Sequence, residues 1–389
     1  MNGTERLGIL GGTFNPIHRG HLEMARQAKK LLSLDKVFLM VASDPPHKPI
    51  PEGVTCADRF RMAELACTDE NGISACDLEL SRPGKSYTCD TLEEIRSMYP
   101  DASVFLIVGS DSLHDFPGWR SPEKILKNAT LVCLPREGIS SDDRKYADRI
   151  AKEIGGNVLL MNAAIPAISS TMIRERFFSF RSCADLVDPR VETYMCAHGF
   201  YLPDDARHRV SALRNSLTRK RFLHSVRVVN LAMELAEKWG ADGRKTFIAA
   251  LLHDCAKELP PDEMNAYSMD ESGILSVQHA FAGPYVAQKK YGIDDHEILE
   301  AIRLHCTGDE NMGLIAKIVY LADATERERV YPGVQQYRRA LTIGPDEAMR
   351  IVLKGSIKGL KHSGKRVHPA SERALDQIGD ICIRAQKRA

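Results

Sequence analysis

Leu7-Gly8-Ile9-Leu10-Gly11-Gly12-Thr13-Phe14-Asn15-Pro16-Ile17-His18-Arg19-Gly20-His21 decides the reading of the first half of the chain. Leu7–Leu10 reads as a buried strand and the amphipathic stretch His21–Leu32 as the helix after it. Between them, paired glycines let the backbone turn sharply and approach a ligand closely. The helix N-terminus then offers unpaired N–H groups and a positive partial charge that suit a phosphate. His18 and His21, three residues apart, are expected to project from one face of the first turn toward the same anion. The loop is neither G-x-G-x-x-G nor G-x-x-x-x-G-K-[ST], which argues against a dinucleotide fingerprint and a P-loop.

Working outward, the first half alternates short apolar runs with amphipathic ones. Strands are expected at Leu7–Leu10, Lys36–Ala42, Ile73–Leu80, Val104–Val108, Thr130–Leu134 and Val158–Met161. Helices are expected at His21–Leu32, Ala57–Cys67, Thr91–Met98, Pro122–Lys127 and Asp142–Ile154. Such alternation means βαβ units, hence a Rossmann-like α/β domain whose parallel sheet is covered on both faces. Beyond about Asp204 the strand signal stops. Helical patterns follow at Phe222–Trp239, Arg244–His253, His279–Tyr291, Asp295–His305, Leu314–Ala324 and Pro345–Lys361. The polar turn Tyr201-Leu202-Pro203-Asp204-Asp205 marks the boundary between an α/β domain at 1–202 and an all-α domain at 203–389.

Composition narrows the function class. A chain of 389 residues exceeds the usual span of one domain, and 43% hydrophobic with 27% charged residues excludes intrinsic disorder and collagen-like repeats. Lys plus Arg number 53 against 52 Asp plus Glu, a net charge of +1. No global field therefore draws the chain to nucleic acid or an anionic membrane, and any anion site is local. The ten cysteines include no Cys-x-x-Cys pair and read as reduced thiols. Leu7–Leu10 is too short for a secretory signal, and no run reaches the ~20 apolar residues that span a bilayer. A cytoplasmic enzyme is expected, its oligomeric state open, a homo-oligomer included.

Two further elements point to phosphate chemistry. Asp44-Pro45-Pro46-His47-Lys48-Pro49 follows the second strand at its carboxyl end, where α/β sheets place ligands. In Ile168-Ser169-Ser170-Thr171-Met172-Ile173-Arg174, Ser169 or Ser170 caps a helix whose first turn carries Arg174. Together, Gly-Gly-Thr-Phe-Asn-Pro-Ile-His-x-Gly-His and Ile-Ser-Ser-Thr-x-Ile-Arg resemble the nicotinate-mononucleotide adenylyltransferases of the histidine-motif nucleotidyltransferase superfamily. The resemblance runs from about Leu7 to Tyr201, takes in Ser86–Leu92, Gly109–Leu113, Trp119 and Arg136, and departs at Leu134–Glu137. It implies an ATP site lined by Gly11, Gly12, Thr13, Phe14, Gly109, Asp111, Ile168 and Ser169. By the same resemblance His18 and His21 are catalytic and hold the ATP phosphates, aided by Ser170 and Arg174. Asp44, Lys48, Tyr87, Thr88, Trp119 and Arg136 are then expected to receive nicotinate mononucleotide. In-line attack of a 5′-phosphate on the α-phosphorus of ATP needs no protein nucleophile. Catalysis rests on positioning and charge, with Mg²⁺ neutralising the leaving pyrophosphate.

The helical half carries a second constellation: His224, His253-Asp254, His279, His305 and Asp323 on successive helices. Imidazoles mixed with carboxylates suit first-row transition metals, and six ligands exceed the need of one ion with open positions, so a dinuclear site is expected. The order His, His-Asp, distal Asp resembles the HD-domain phosphohydrolases. Leu252–Pro260, with His279 and His305-Cys306-Thr307-Gly308, is similar to the bacterial YqeK-type family, from about Leu217 to Ala340. That resemblance implies symmetrical hydrolysis of diadenosine tetraphosphate to ADP at a di-iron site, with Arg227 and a catalytic Lys257 on the polyphosphate. Two positions depart from the pattern. Cys255 stands where Ile or Val is usual, and Thr325–Arg329 lacks the proline of a Glu-Pro-x-x-Arg-like segment.

A bifunctional enzyme is therefore expected. Two alternatives stay open at this level: another acceptor on the first fold, such as nicotinamide mononucleotide or phosphopantetheine, and an HD half that acts on other nucleotides or binds them without turnover as a regulatory module.

Overall fold

The apolar runs of the first half become six strands in the computed structural model, which describes residues 4–44, 53–82, 84–268 and 270–386. They are β1 (Arg6–Gly12), β2 (Lys36–Val41), β3 (Ile73–Cys76), β4 (Ser103–Val108), β5 (Thr130–Cys133) and β6 (Val158–Leu160). All pair in parallel, in the order β3-β2-β1-β4-β5-β6. Helices on both faces leave no strand residue of Val104–Val108 exposed, which is why that run is uniformly apolar rather than alternating. The strand order switches direction between β1 and β4, and such sheets bind ligands at the carboxyl ends of those two strands. β1 delivers Gly11-Gly12 to that crevice, and Gly109 follows β4. The expected strand Ile73–Leu80 is shorter than its apolar pattern. β3 is an edge strand whose pairing with β2 ends at Met40 and Cys76, and the chain then closes a turn, Leu80 N–H donating to Asp77 O at 2.8 Å.

Six helices cover this sheet: α1 (Arg19–Leu31), α2 (Cys56–Ala66), α3 (Thr88–Met98), α4 (Ser110–Asp115), α5 (Pro122–Asn128) and α6 (Ser141–Glu153). Leu92 and Ile95 of α3, Leu113 of α4 and Ile125 of α5 pack with Leu106 and Leu131 of the strands in one buried cluster. By packing, the chain forms two units, Met1–Arg174 with Asp185–Glu192, and Glu175–Ala184 with Thr193–Ala389. Helices α7 (Ser170–Phe178) and α8 (Pro189–His198) contribute residues to both.

The rest of the second unit is helical: α9 (Asp204–Ser216), α10 (Arg219–Trp239), α11 (Gly243–Leu252), α12 (Pro261–Tyr267), α13 (Gln278–Tyr291), α14 (His296–Leu304), α15 (Leu314–Thr325), α16 (Val334–Ala340), α17 (Pro345–His362) and α18 (Pro369–Gln386). Thr246–Leu252 of α11 is buried without a break, and α15 is almost so, which marks them as central helices. Their C-terminal ends therefore lie in the interior, where exposed carbonyls need partners. Helix α10 buries a stripe from Phe222 to Ala236 and turns the other face outward. Cys56, Cys67, Cys76, Cys89, Cys133, Cys183, Cys196, Cys255 and Cys306 are free thiols, and among the described residues no helix is long and apolar enough to cross a membrane.

Candidate active sites

In the first unit the turn after β1 is built around Phe14, which has a left-handed backbone (φ 48°) and is buried. A Cβ on Gly12 would lie 2.9 Å from the Phe14 ring, so a larger residue there would require that buried ring to shift. His18 is the N-cap of α1 and is 2% exposed. Its backbone N–H donates to His21 Nδ1 at 3.3 Å, and the two imidazoles stack with centroids 3.6 Å apart. His21 also meets the edge of Phe14 at 4.9 Å. Burial, reinforced by the Arg136 guanidinium, pushes the His18 pKa down to about 3, so at neutral pH the ring is an uncharged hydrogen-bonding group. Its Nδ1 is buried without a hydrogen-bond partner. A second helix start is tied to the same turn. Ser169 Oγ accepts from Met172 N–H at 3.1 Å and is the cap. The Ser170 hydroxyl donates instead to Pro16 O at 2.9 Å, and Arg174 Nη1 donates to Asn15 O at 2.8 Å.

Residues expected to receive the acceptor or ATP stand at the starts of α3 and α4. Tyr87 is the N-cap of α3, so Thr88 stands in its first turn, and Gly109 caps α4 with Asp111 exposed in the turn that follows. Ser43 N–H donates to Ser86 Oγ at 3.0 Å and Ser86 N–H to Asp44 O at 3.2 Å, which fastens the exit of β2 to that region. Trp119 is half-buried and leans on Phe116 with centroids 5.4 Å apart. Lys48 lies outside the described residues.

In the second unit, His253 and His305 follow the last residues of α11 and α14 as C-caps. Their Nδ1 atoms face the carbonyls of Ala250 and Ile302, each at 2.7 Å. A carbonyl only accepts, so Nδ1 carries a proton, and in the neutral ring Nε2 presents a lone pair inward. His253 Nε2 is buried with no hydrogen-bond partner, 3.7 Å from Asp254 Oδ2 and 4.0 Å from Asp323 Oδ1. The other oxygen, Asp254 Oδ1, lies 3.2 Å from His279 Nε2 and 3.5 Å from His305 Nε2. His224 Nε2 is 2.9 Å from Asp323 Oδ1, and its Nδ1 is 3.2 Å from Glu326 Oε1.

Burial would raise the Asp254 carboxyl, but His253 and the bonds to His279 and His305 hold it well below the usual range. Burial keeps His253 at about 4. Three groups, His224/His253/Asp323, His253/Asp254/His305 and His279/His305/Cys306, each have ligand atoms within 4.8 Å of one another. All six expected ligands thus come together, and buried imidazoles facing carboxylates are a donor set that could hold a divalent metal ion. Lys257 Nζ lies 2.8 Å from His279 Nε2 and 3.8 Å from Asp254 Oδ1, while Arg227 Nε is bonded to Glu326 Oε2 at 3.0 Å.

Residues 9–176 match the cytidylyltransferase-like family model and residues 221–328 the HD domain model. A "Probable nicotinate-nucleotide adenylyltransferase" of Synechococcus sp. (strain JA-3-3Ab) is 39% identical over 197 residues, 51% of this chain and 95% of the relative. The N-terminal half belongs to the nicotinate-nucleotide adenylyltransferase family. A relative of the same description from Thermus thermophilus is 38% identical over 198 residues, covering 50% of this chain and 99% of its own. The crystal structure of a "predicted HD superfamily hydrolase involved in NAD metabolism" from Clostridium acetobutylicum is 32% identical and covers 44% of this chain and 96% of its own, with a TM-score of 0.42.

Several residues that shape the adenylyltransferase half and the HD domain were not expected from the sequence. Arg59 on α2 is fully buried and donates to Thr13 O (2.8 Å), Ala42 O (2.6 Å) and Ser43 O (2.8 Å), clamping the phosphate turn to the exit of β2. Arg120 lies over the Tyr87 ring at 4.4 Å, and its place directly after Trp119 was the available signal. In the HD domain, Glu326 orients His224, as outer carboxylates do for metal-bound imidazoles. Arg329 pairs with Asp323, and its Nη2 lies 3.3 Å from His224 Nε2. Where the related pattern has a proline, Arg338 on α16 donates to the carbonyls of Thr325, Glu326, Arg327 and Arg329 at 2.9, 2.6, 3.0 and 3.0 Å.

Proposed function

We propose that the adenylyltransferase half, residues 1–202, transfers AMP from ATP to nicotinate mononucleotide, giving deamido-NAD and pyrophosphate. The HD half, residues 203–389, then hydrolyses diadenosine tetraphosphate to two ADP. The observation that carries the first activity is the buried, unpartnered His18 Nδ1 stacked on His21 at the start of α1, beside the carboxyl end of β1. With its Nδ1 accepting from the backbone, neutral His21 keeps its proton on Nε2 as a donor to phosphate. Such neutral donors favour the state in which charge has moved to the leaving pyrophosphate. Arg174 holds the turn through Asn15 and adds charge, and bound Mg²⁺ neutralises the triphosphate. On the acceptor side, Trp119 supplies a ring face, the first turn of α3 supplies N–H groups, and Arg120 supplies a cation that favours the acid over the amide.

The second activity is supported by the convergence of His224, His253, Asp254, His279, His305 and Asp323. These residues would hold a pair of ions, iron by the resemblance, whose chemistry would be to activate a water and neutralise phosphate charge. Asp254 presents one oxygen to each histidine set and would hold metal together with both. Lys257 and Arg227 hold the remaining phosphates. Both reactions use soluble nucleotides, in keeping with a cytoplasmic setting. The test is product analysis on the full chain. ATP with nicotinate mononucleotide should give deamido-NAD, with a higher kcat/KM than nicotinamide mononucleotide. Diadenosine tetraphosphate should give ADP alone. Preference for the amide overturns the acceptor assignment, and AMP plus ATP, or no turnover by metal-loaded protein, overturns the hydrolase assignment in favour of a different or regulatory HD domain.

A further inference from the structure

We infer that Cys306 is a metal ligand, its Sγ joining His279, His305 and Asp254 around the second ion of the HD centre. The inference rests on the dinuclear reading above. Cys306 directly follows the C-cap of α14, and its Sγ lies 3.2 Å from His305 Nε2 and 3.3 Å from His279 Nε2. Those nitrogens are themselves 3.2 Å apart, and Asp254 Oδ1 lies 3.2 Å from one and 3.5 Å from the other. The sulfur and the two nitrogens thus stand at nearly equal separations, and the carboxylate oxygen lies close to both nitrogens. With metal–nitrogen bonds of about 2.1 Å and metal–sulfur bonds of about 2.3 Å, a nitrogen and a sulfur on one ion lie about 3.1 Å apart at right angles and about 3.6 Å apart in a tetrahedron. Both sulfur spacings fall inside that window.

A thiol acting only as a hydrogen-bond donor needs one acceptor. Cys306 is instead nearly equidistant from two imidazole nitrogens that also face the same carboxylate oxygen. The Ile302 carbonyl engages His305 Nδ1, so Nε2 is the nitrogen that His305 turns toward the sulfur and the carboxylate. Cys255, beside Asp254, behaves differently: its thiol points to Gly283 O at 3.6 Å and stays outside the cluster. Metal binding displaces the thiol proton, and the resulting thiolate gives the second ion a negative donor of its own, whereas Asp254 is shared with the first.

Cobalt substitution of the full chain tests this. Wild-type protein should bind two equivalents of Co²⁺ and develop a sulfur-to-cobalt charge-transfer band in the near ultraviolet. Cys306→Ser should lose that band, keep the visible absorption of the remaining cobalt, and hold the second equivalent at least about tenfold more weakly. X-ray absorption at the zinc edge of zinc-loaded wild type, which does not depend on how the variant folds, should contain a sulfur neighbour at about 2.3 Å. Two bound ions without a charge-transfer band or sulfur neighbour, or a band that persists in Cys306→Ser, overturns the inference and leaves the dinuclear reading intact. Failure to bind metal at all overturns both.

Discussion

The ring of His21 and those of His253 and His305 are held in opposite ways in the two halves of this chain, and the helix end on which each of these three stands decides which. At the N-terminus of α1 a backbone N–H reaches His21 Nδ1, so the neutral ring keeps its proton on Nε2, while burial keeps His18 uncharged. Rings held in this way offer donors to an anion. At the C-termini of α11 and α14 the situation is reversed: carbonyls take the Nδ1 protons of His253 and His305, and Nε2 offers lone pairs to a cation. Unpaired N–H groups lie at one end of every helix and unpaired carbonyls at the other. For these residues the polarity of the helix therefore selects between a ring that offers a donor and one that offers a lone pair, which residue type alone leaves undecided.

The comparison breaks first at Asp254. Asp254→Ala should abolish diadenosine tetraphosphate hydrolysis and lower the bound metal below two ions per chain. Adenylyl transfer, measured on the same preparation, should be unchanged, and a parallel loss would mean that the two sites are not independent. Next in size is His18→Ala, or equally His21→Ala, expected to cost ~10²–10³ in the rate of adenylyl transfer with hydrolysis retained. Near-normal turnover would remove the donor role assigned to the α1 N-terminus.

A smaller effect is expected from Glu326→Gln, which leaves every ligand in place but releases His224. Metal affinity should fall by ~10–100-fold in a chelator competition. Smallest is a pH effect. The His18 pKa is lowered from the ordinary 6.5 to about 3, so its burial adds stability above pH 6.5 that fades as pH falls toward 3. Between about pH 7 and about pH 5, wild type should lose a few degrees more of Tm than His18→Leu. Equal slopes would mean that the ring titrates alike in the folded and unfolded chain.

What was legible in the sequence was what repeats or sits close together. The strand and helix alternation, the spacing of His18 and His21, and the run of His224, His253-Asp254, His279, His305 and Asp323 all follow local patterns, and the fold class and the convergence of the six ligands follow from them. The illegible parts act across sequence distance through the backbone. Arg59 bonds to Thr13, 46 residues away, and a carbonyl acceptor leaves no mark on residue type. Helix α9 was missed because it buries only Ala206, Val210 and Leu213, and α12 because none of its residues is buried. The overlong β3 has the converse cause, since Asp77–Leu80 continues the apolar pattern after its pairing partner has run out.

Arg338 has a consequence for how the HD centre yields to its surroundings. A proline in the 325–329 segment would restrict the denatured chain, whereas a guanidinium that gathers four carbonyls restrains only the folded one. The brace is thus lost in full whenever the segment detaches, and nothing in the free chain guides it back. Asp323 and Glu326 flank the start of that segment, so the anchoring of one ligand and the aim of another depend on a contact made entirely in the native state. Urea and heat should therefore loosen the His224 side of the centre before they loosen the His279 side.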